Sequence, residues 1–212
     1  IARPETSVWL HELLSMQILI EWKPSPEAPP NRYILAFSHH VLFDYAVAKL
    51  LLQGTLERPD ILVQRLVNDP DLAIVIRPSL IFHFHYLWSI DHTRRQFWEL
   101  VFRIIREDQV PEIGKIIGLS VAAELARTLS DLEPLCAALD DVNPANQSAA
   151  EQALRHLAGA LVTRTLVAET SDNIRLLGPG AGPWCGLLER ISRNLRLSVA
   201  YSVRYLLSVM CE

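Results

Sequence analysis

Strand signals in this chain are confined to one short stretch, and everything after it follows helical spacing. β-Branched and aromatic residues run from Ile18 to Trp22 and from Tyr33 to Phe37, which favours two strands. Between them, Lys23 to Arg32 carries four prolines, so this stretch cannot be helical and predicts a long exposed loop. The sequence therefore predicts a single β-hairpin in an otherwise helical chain.

A short helix is predicted ahead of the hairpin. Ser7 to Met16 places apolar residues at helical spacing, with Thr6 or Ser7 available as its cap. A helix followed by a two-stranded wing is the second half of a winged-helix module, so residues 1–40 are assigned to the end of such a module. The chain starts at Ile1 and ends on an apolar helix, and we expect it to be a segment of a longer protein.

Residues 41–58 are predicted to form a buried connector helix. Val41 to Leu52 is apolar around almost its whole circumference, which a helix tolerates only where neighbours cover both faces. Phe43, Tyr45 and Val47 point to different sides, so we expect burial against both the hairpin and the helices that follow.

Residues 59–212 are predicted to form an irregular HEAT-like α-solenoid. Helical stretches alternate with short breakers, which is the rhythm of antiparallel helix pairs, and no strict sequence period is present. The predicted fold class is therefore mostly α, with a partial winged helix and one β-hairpin before the solenoid. The predicted helices are Pro59–Asn68, Pro70–Ile90, Thr93–Glu107, Pro111–Leu129, Leu132–Leu139, Ser148–Leu166, Pro183–Leu195 and Ser198–Cys211.

Composition and charge limit the partners. A net charge of −4 gives no global electrostatic reason to expect nucleic acid or an anionic membrane. The longest apolar run, Leu72 to Ile90, is interrupted by charged and polar residues, so no membrane span is predicted. Three widely spaced cysteines, Cys136, Cys185 and Cys211, suit reduced thiols in the cytoplasm better than a disulfide framework.

A family pattern lies where the hairpin meets the connector. The stretch from Phe37 to Ala48 resembles the F-x-H-x-x-F-x-E-[YF]-x-x-A signature that closes the winged-helix region of NACHT and related STAND signalling NTPases. Leu42 replaces the usual aromatic residue and Asp44 the usual Glu. The matching positions are Phe37, His39, Leu42, Asp44, Tyr45 and Ala48.

The resemblance implies a regulatory role. In such proteins an upstream nucleotide-binding domain exchanges or hydrolyses ATP, the winged helix locks the ADP state, and downstream repeats sense a ligand. It implies that His39 senses the diphosphate of ADP, with ADP or ATP bound by the parent protein and no cofactor in this segment. The implied partners are the upstream nucleotide-binding domain and a protein ligand or a second copy, held through the repeats.

The residues around His39 leave two interpretations open. His39 follows a strand and precedes a helix, so its ring lies near a helix N-terminus that would favour an anion. Alternatively, Ser38 or His39 caps the helix and Asp44 orients a histidine ring one turn away. Ser38, His39, His40 and Asp44 include the residue types of a hydrolytic triad, but no triad is expected, because adjacent positions rarely supply the relay geometry.

Histidine and serine motifs elsewhere are interpreted as packing. His83 and His85 point to different sides of a helix, and neither has the partner four residues away that a zinc helix needs. Gly118-Leu-Ser120 lies inside a helical pattern, without the strand that aims a nucleophilic serine. No catalytic residue and no metal ligand is assigned.

Glycine motifs for phosphate binding are incomplete. Gly178 to Pro183 is glycine-rich but does not fit G-x-G-x-x-G and has no strand before it. Gly114-Lys115 has Gln109 where a Walker A motif needs glycine and Ile116 where it needs Ser or Thr. This segment therefore has no P-loop of its own.

Two surface features allow more than one interpretation. Arg190, Arg193 and Arg196 recur every three residues and Arg204 follows, which is a candidate partner surface or a solvated face of the solenoid. A group of aromatic residues is expected mainly to form the shared core of two neighbouring helices. Its members are Phe82, Phe84, Tyr86, Trp88, Phe97, Trp98 and Phe102.

Three functions are compatible with the sequence. The first is a regulatory segment of a STAND-type NTPase without catalysis of its own. The second is a helical-repeat scaffold that binds a protein partner without a nucleotide switch. The third, an all-α enzyme, is weaker because no acid-base or metal constellation is found. A Walker A and a Walker B motif upstream of Ile1 would separate the first from the second.

Overall fold

The computed structural model describes residues 4–23, 25, 27, 29, 33–55, 58–166, 178–193 and 196–210. This part of the chain is mostly helical and holds one two-stranded antiparallel hairpin, as predicted. The helices and strands are α1 (Pro4–Ser15), β1 (Leu19–Trp22), β2 (Ile34–Phe37), α2 (His40–Val47), α3 (Pro59–Asn68), α4 (Leu72–Val75), α5 (Arg77–Ile90), α6 (Arg95–Arg106), α7 (Glu112–Leu125), α8 (Glu133–Leu139), α9 (Pro144–Leu166), α10 (Gly182–Ser192) and α11 (Leu197–Met210). Short turns of other helix types span Ala48–Leu52, Gln53–Thr55, Leu129–Leu132 and Gly178–Ala181.

The hairpin pairs Leu19 with Phe37 and Trp22 with Ile34. The chain leaves α1 through Gln17, whose φ of 56° is left-handed, and so turns directly into β1. Most of the predicted proline-rich loop between the strands lies outside the described residues, as do Leu195 and Cys211, where two predicted helices end.

Proline positions explain where two helices begin. The prediction of one helix over Pro70–Ile90 is wrong, because the chain breaks at Ile76 and α5 begins with Pro78 in its first turn. Pro78 has no N–H and disfavours helical geometry just before it. Helix α9 begins at Pro144, earlier than predicted, where the Asn143 side chain accepts a hydrogen bond from the Ala145 N–H at 3.0 Å.

The helices after the hairpin contact one another in two rows. Helices α5, α7, α9 and α11 contact in succession, and so do α3, α6, α8 and α10. Helix α2 packs against α5 at the start of the first row, and α6 also contacts α9 across the rows. One hydrophobic core, which runs from Leu52 to Leu206, lies between them. The rows therefore bury a shared apolar interior rather than separate cores.

Close approach of α7 to its neighbours depends on Gly118. A Cβ at this position would lie 2.8 Å from Cγ2 of Val101 and 2.9 Å from Cε1 of Phe84, which is too close for a side chain. Ser120 donates its hydroxyl to the Ile116 carbonyl of the same helix at 3.0 Å. The interpretation of this motif as packing is confirmed.

A buried ion pair joins the α5–α6 turn to the turn before α8. Arg94, whose φ of 59° is left-handed, donates from Nε to Oδ1 of Asp131 at 2.8 Å. The Trp98 indole N–H donates to the Asp131 carbonyl at 2.9 Å. Asp131 also accepts the backbone N–H groups of Arg127 and Thr128, each at 3.1 Å. These bonds fix one end of α6 against the start of α8.

Helix α2 is covered on one side only. Asp44, Val47 and the following Ala48 are buried where α2 meets α5. Phe43 and Tyr45 are each 50 % exposed. The prediction of a buried connector is therefore wrong for this face, because α5 covers one side of the helix and the described part of the hairpin does not cover the other.

Candidate functional site

His39 is the N-cap residue of α2, in extended conformation because β2 ends two residues before it. Its carbonyl accepts the N–H groups of Leu42 and Phe43 at 3.0 and 3.3 Å. Its ring is exposed and makes no capping hydrogen bond. The Ser38 hydroxyl is buried without a hydrogen-bond partner. The interpretation that either side chain caps the helix is therefore wrong.

Asp44 connects α2 to α5. Its carboxylate is buried and accepts a hydrogen bond from the Ser79 hydroxyl at 3.2 Å. The expectation that Asp44 orients a histidine ring is wrong, since its partner is Ser79 of α5. The two residues of this contact are 35 positions apart in sequence, and the motif did not predict it.

The other motif positions divide between the two faces of α2. Phe37 packs edge-on against Phe43 with ring centres 5.9 Å apart, and Tyr45 packs edge-on against Phe82 at 6.1 Å. Leu42 is half-buried and Ala48 is buried. The motif therefore holds the hairpin on one side and reaches α5 on the other.

Apolar side chains are exposed along the described part of residues 8–43. No residue before Asp44 whose side chain is described is buried. Trp9 is 66 % exposed and Trp22 is 58 % exposed. Patches of this kind mark interaction surfaces in folded proteins. We call this the N-terminal apolar surface, formed by Val8, Trp9, Met16, Ile20, Trp22, Tyr33, Ile34, Leu35, Val41 and Phe43.

A groove of about 410 Å³ opens where α2 and the turn after it face α5. The turn from Ala48 to Leu52 is π-helical, a rare geometry that often occurs at functional sites. We call this the α2–α5 groove. It is lined by Tyr45, Ala48, Lys49, Gln53, Phe82, His83, His85, Tyr86 and Ser89.

The groove combines aromatic walls with one lysine. The Lys49 Nζ lies 4.3 Å from the centre of the Tyr86 ring and 5.9 Å from that of Tyr45. Burial lowers the pKa of His83 to about 4, so this ring is neutral at neutral pH. Its Nδ1 is buried without a hydrogen-bond partner. His85, at the same groove, lies 4.0 Å from Glu124.

The sequence analysis missed Lys49 and Tyr86 as members of a site. A usable signal was present, because Lys49 is the single basic residue in the apolar run Val41–Leu52. The interpretation of His83 and His85 as core or groove residues is confirmed, since His83 is buried and both line the groove.

The predicted arginine surface is largely neutralised. Three of its four members lie within 4 Å of a carboxylate, and the Arg196 guanidinium also donates to the Leu139 carbonyl at 3.1 Å. Arg204 is exposed on α11. Arg190 and Arg193 are nevertheless exposed, so a partner surface and a solvated face both stay predictions for these residues. The pairs are Arg190 with Asp140 at 3.4 Å, Arg193 with Glu189 at 2.6 Å and Arg196 with Glu151 at 3.8 Å.

Several other sequence motifs are placed by the structure. Lys115, from the incomplete Walker motif, is buried in α7 and lies 3.5 Å from Glu112. The glycine-rich stretch continues from a short turn at Gly178–Ala181 directly into α10. Burial raises the pKa of the Cys136 thiol to about 11, so this thiol is protonated, whereas Cys185 is exposed.

Two kinds of feature are absent from the described part of the chain. Within the described ranges there is no group of three His, Cys, Asp or Glu side chains placed to hold a metal ion. None of the helices in that part of the chain has both the length and the apolar character to cross a membrane. Comparison with family models, curated proteins and solved structures found no match to this chain.

Proposed function

We propose that this chain is a regulatory segment of a STAND-type signalling NTPase, which docks on a nucleotide-binding domain and performs no catalysis itself. The N-terminal apolar surface carries this proposal. Trp9 and Trp22 are exposed on α1 and on the hairpin, and an isolated two-stranded hairpin is marginally stable in water. A covering domain would bury this surface and stabilise the hairpin.

The resemblance of Phe37–Ala48 to the NACHT signature supplies the nature of that domain. In this proposal α1 and the hairpin end a winged-helix module, and the domain they contact binds ADP or ATP. The two helix rows form an irregular HEAT-like solenoid in the cytoplasm, which recognises a protein ligand or a second copy. The row-by-row contacts from α3 to α11 support this part, because stacked pairs are how such repeats bury their apolar faces.

Acrylamide quenching of tryptophan fluorescence tests the docking. Trp88, Trp98 and Trp184 are buried, so the quenchable signal of this chain should come from Trp9 and Trp22. In the protein in which a P-loop domain adjoins this chain, both should be protected. Replacing both with phenylalanine identifies their share of the signal. Trp9 and Trp22 that stay fully quenchable beside the P-loop domain would contradict the docking.

The variant His39→Leu tests the nucleotide part of the proposal. In the intact protein, His39→Leu should weaken ADP binding about tenfold or more, because a hydrogen bond to a charged group contributes roughly 1.5–3 kcal/mol. The melting temperature of the present chain should stay nearly constant, since the His39 ring makes no capping bond. Calorimetric titration with ADP and thermal unfolding measure the two quantities.

His40→Leu is the matched control, because His40 is the neighbouring exposed histidine and begins α2. It should leave ADP affinity unchanged. Unchanged ADP affinity in His39→Leu, together with a lowered melting temperature, would show that His39 has a structural role only.

A helical-repeat scaffold without a nucleotide switch is the second candidate. The row of α3, α6, α8 and α10 favours it, because Arg95, Phe102 and Arg106 of α6 line an open cleft of about 550 Å³ with Pro134. A cleft lined by both basic and apolar side chains suits a protein partner. The reading frame ahead of Ile1 decides between the two: Walker A and Walker B motifs there support the regulatory segment, and their absence supports the scaffold.

A further inference from the structure

We propose that the α2–α5 groove binds a small aromatic carboxylate. This site is separate from the docking surface and from His39, and it does not depend on a nucleotide switch. It lies where the signature motif meets the helix rows, since Tyr45 belongs to the motif and Tyr86 to α5.

The walls of the groove fit a planar ring. Tyr45 and Phe82 pack edge-on with ring centres 6.1 Å apart, and the Tyr86 ring lines the same groove 4.3 Å from the Lys49 Nζ. Aromatic side chains hold a flat ligand by offset or edge-on contact. The volume of about 410 Å³ suits a small molecule, since ligand pockets commonly span roughly 300–1,000 Å³.

The charge of the groove selects an anion. Lys49 is half-buried, and among the described residues no carboxylate lies within ion-pair distance of its ammonium group. The groove lining holds no Asp or Glu. A ligand carboxylate can accept a charge-assisted hydrogen bond from this ammonium group.

Uncharged polar groups at the groove can orient the ligand. Gln53 and Ser89 supply uncharged donors and acceptors at the groove. His83 also lines the groove, and burial keeps its ring neutral. The π-helical turn places Lys49 between the two tyrosine rings, where the ammonium is held over the Tyr86 face. The site is thus preorganised for one anionic group next to an apolar body.

The test uses 2-naphthoate as probe and 2-naphthamide as its uncharged analogue, each titrated into the chain by calorimetry. We expect saturable one-to-one binding of naphthoate and at least about tenfold weaker binding of the amide. Lys49→Met should lower the affinity for naphthoate by a similar factor, and Lys49→Arg should retain part of that affinity. Lys23→Met is the matched control, because Lys23 is exposed and is not among the residues that line the groove.

Equal affinity for naphthoate and naphthamide, or no saturable naphthoate binding, would overturn the proposal. So would an unchanged affinity in a folded Lys49→Met variant. If that variant fails to fold by circular dichroism, NMR of the unmodified chain decides. Naphthoate should then shift resonances of Tyr45, Phe82 and Tyr86, and shifts confined to other residues would overturn the site.

Discussion

Asp131→Ala is expected to lower the free energy of unfolding by about 3–5 kcal/mol, the cost of removing one partner from a buried ion pair. The side chains of Arg94 and Asp131 are only 16 % and 11 % exposed. Without the carboxylate, the Arg94 guanidinium keeps its bonds to the carbonyls of Trp88 and Asp91 but loses its counter-charge. Urea unfolding followed by circular dichroism measures the loss.

Asp60→Ala is the matched control for this measurement. Asp60 also pairs with an arginine, Arg103, but its side chain is 76 % exposed. Exposed pairs contribute about 0–1 kcal/mol, so the control should unfold near the parent midpoint. Equal losses in Asp131→Ala and Asp60→Ala would contradict the role given to burial.

The same carboxylate gives a pH signature. Burial raises the pKa of Asp131, but hydrogen bonds from the Arg127 N–H, the Arg94 side chain and Thr128 outweigh burial and lower it overall. A group whose pKa is lower in the folded chain stabilises it above the unfolded pKa of about 3.9, and that stability is lost as the pH falls further. As the pH is lowered from about 5, the free energy of unfolding should therefore fall further in the unmodified chain than in Asp131→Ala.

Phe97→Ala is expected to cost about 3–5 kcal/mol, because Phe97 is fully buried and its removal leaves a cavity. Its ring packs edge-on against three others: Phe84 at 5.6 Å, Trp88 at 4.8 Å and Trp98 at 5.6 Å between centres. These rings come from α5 and α6, so the loss should appear in the midpoint of cooperative unfolding.

Phe43→Ala is the comparison for Phe97→Ala, with the same atoms removed from a half-exposed site. It should cost no more than about half as much, since part of the Phe43 surface already contacts water. A Phe43 loss as large as that of Phe97 would mean that α2 is covered in solution by something else.

The aromatic group shows how far residue type predicts burial. Phe84, Trp88, Phe97 and Trp98 lie in the core as expected, since α5 and α6 pack together. Phe82 is 36 % exposed and lines the groove instead. Helical periodicity assigns a residue to a face, but the neighbour that covers that face is set by packing between helices far apart in sequence.

In the candidate site, too, some features follow from local sequence patterns and others depend on tertiary packing. The N-cap position of His39 and the hairpin before it follow from local patterns that were visible in the sequence. The groove around Lys49 could not be derived, because it needs α5 to lie against α2 and a π-helical turn in between. Burial of the connector was predicted wrongly for the same reason, since apolar composition does not specify which neighbours are present.

By itself, the sequence determined the hairpin and the alternation of helices, because strand propensity and proline breakers act locally. Only the tertiary structure decided the charge partners. Arg94 meets Asp131 across 37 residues, and Arg190 meets Asp140 across 50. Ion pairs between distant segments depend on distances of a few ångströms between helices, and spacing along one helix predicts only pairs three or four residues apart.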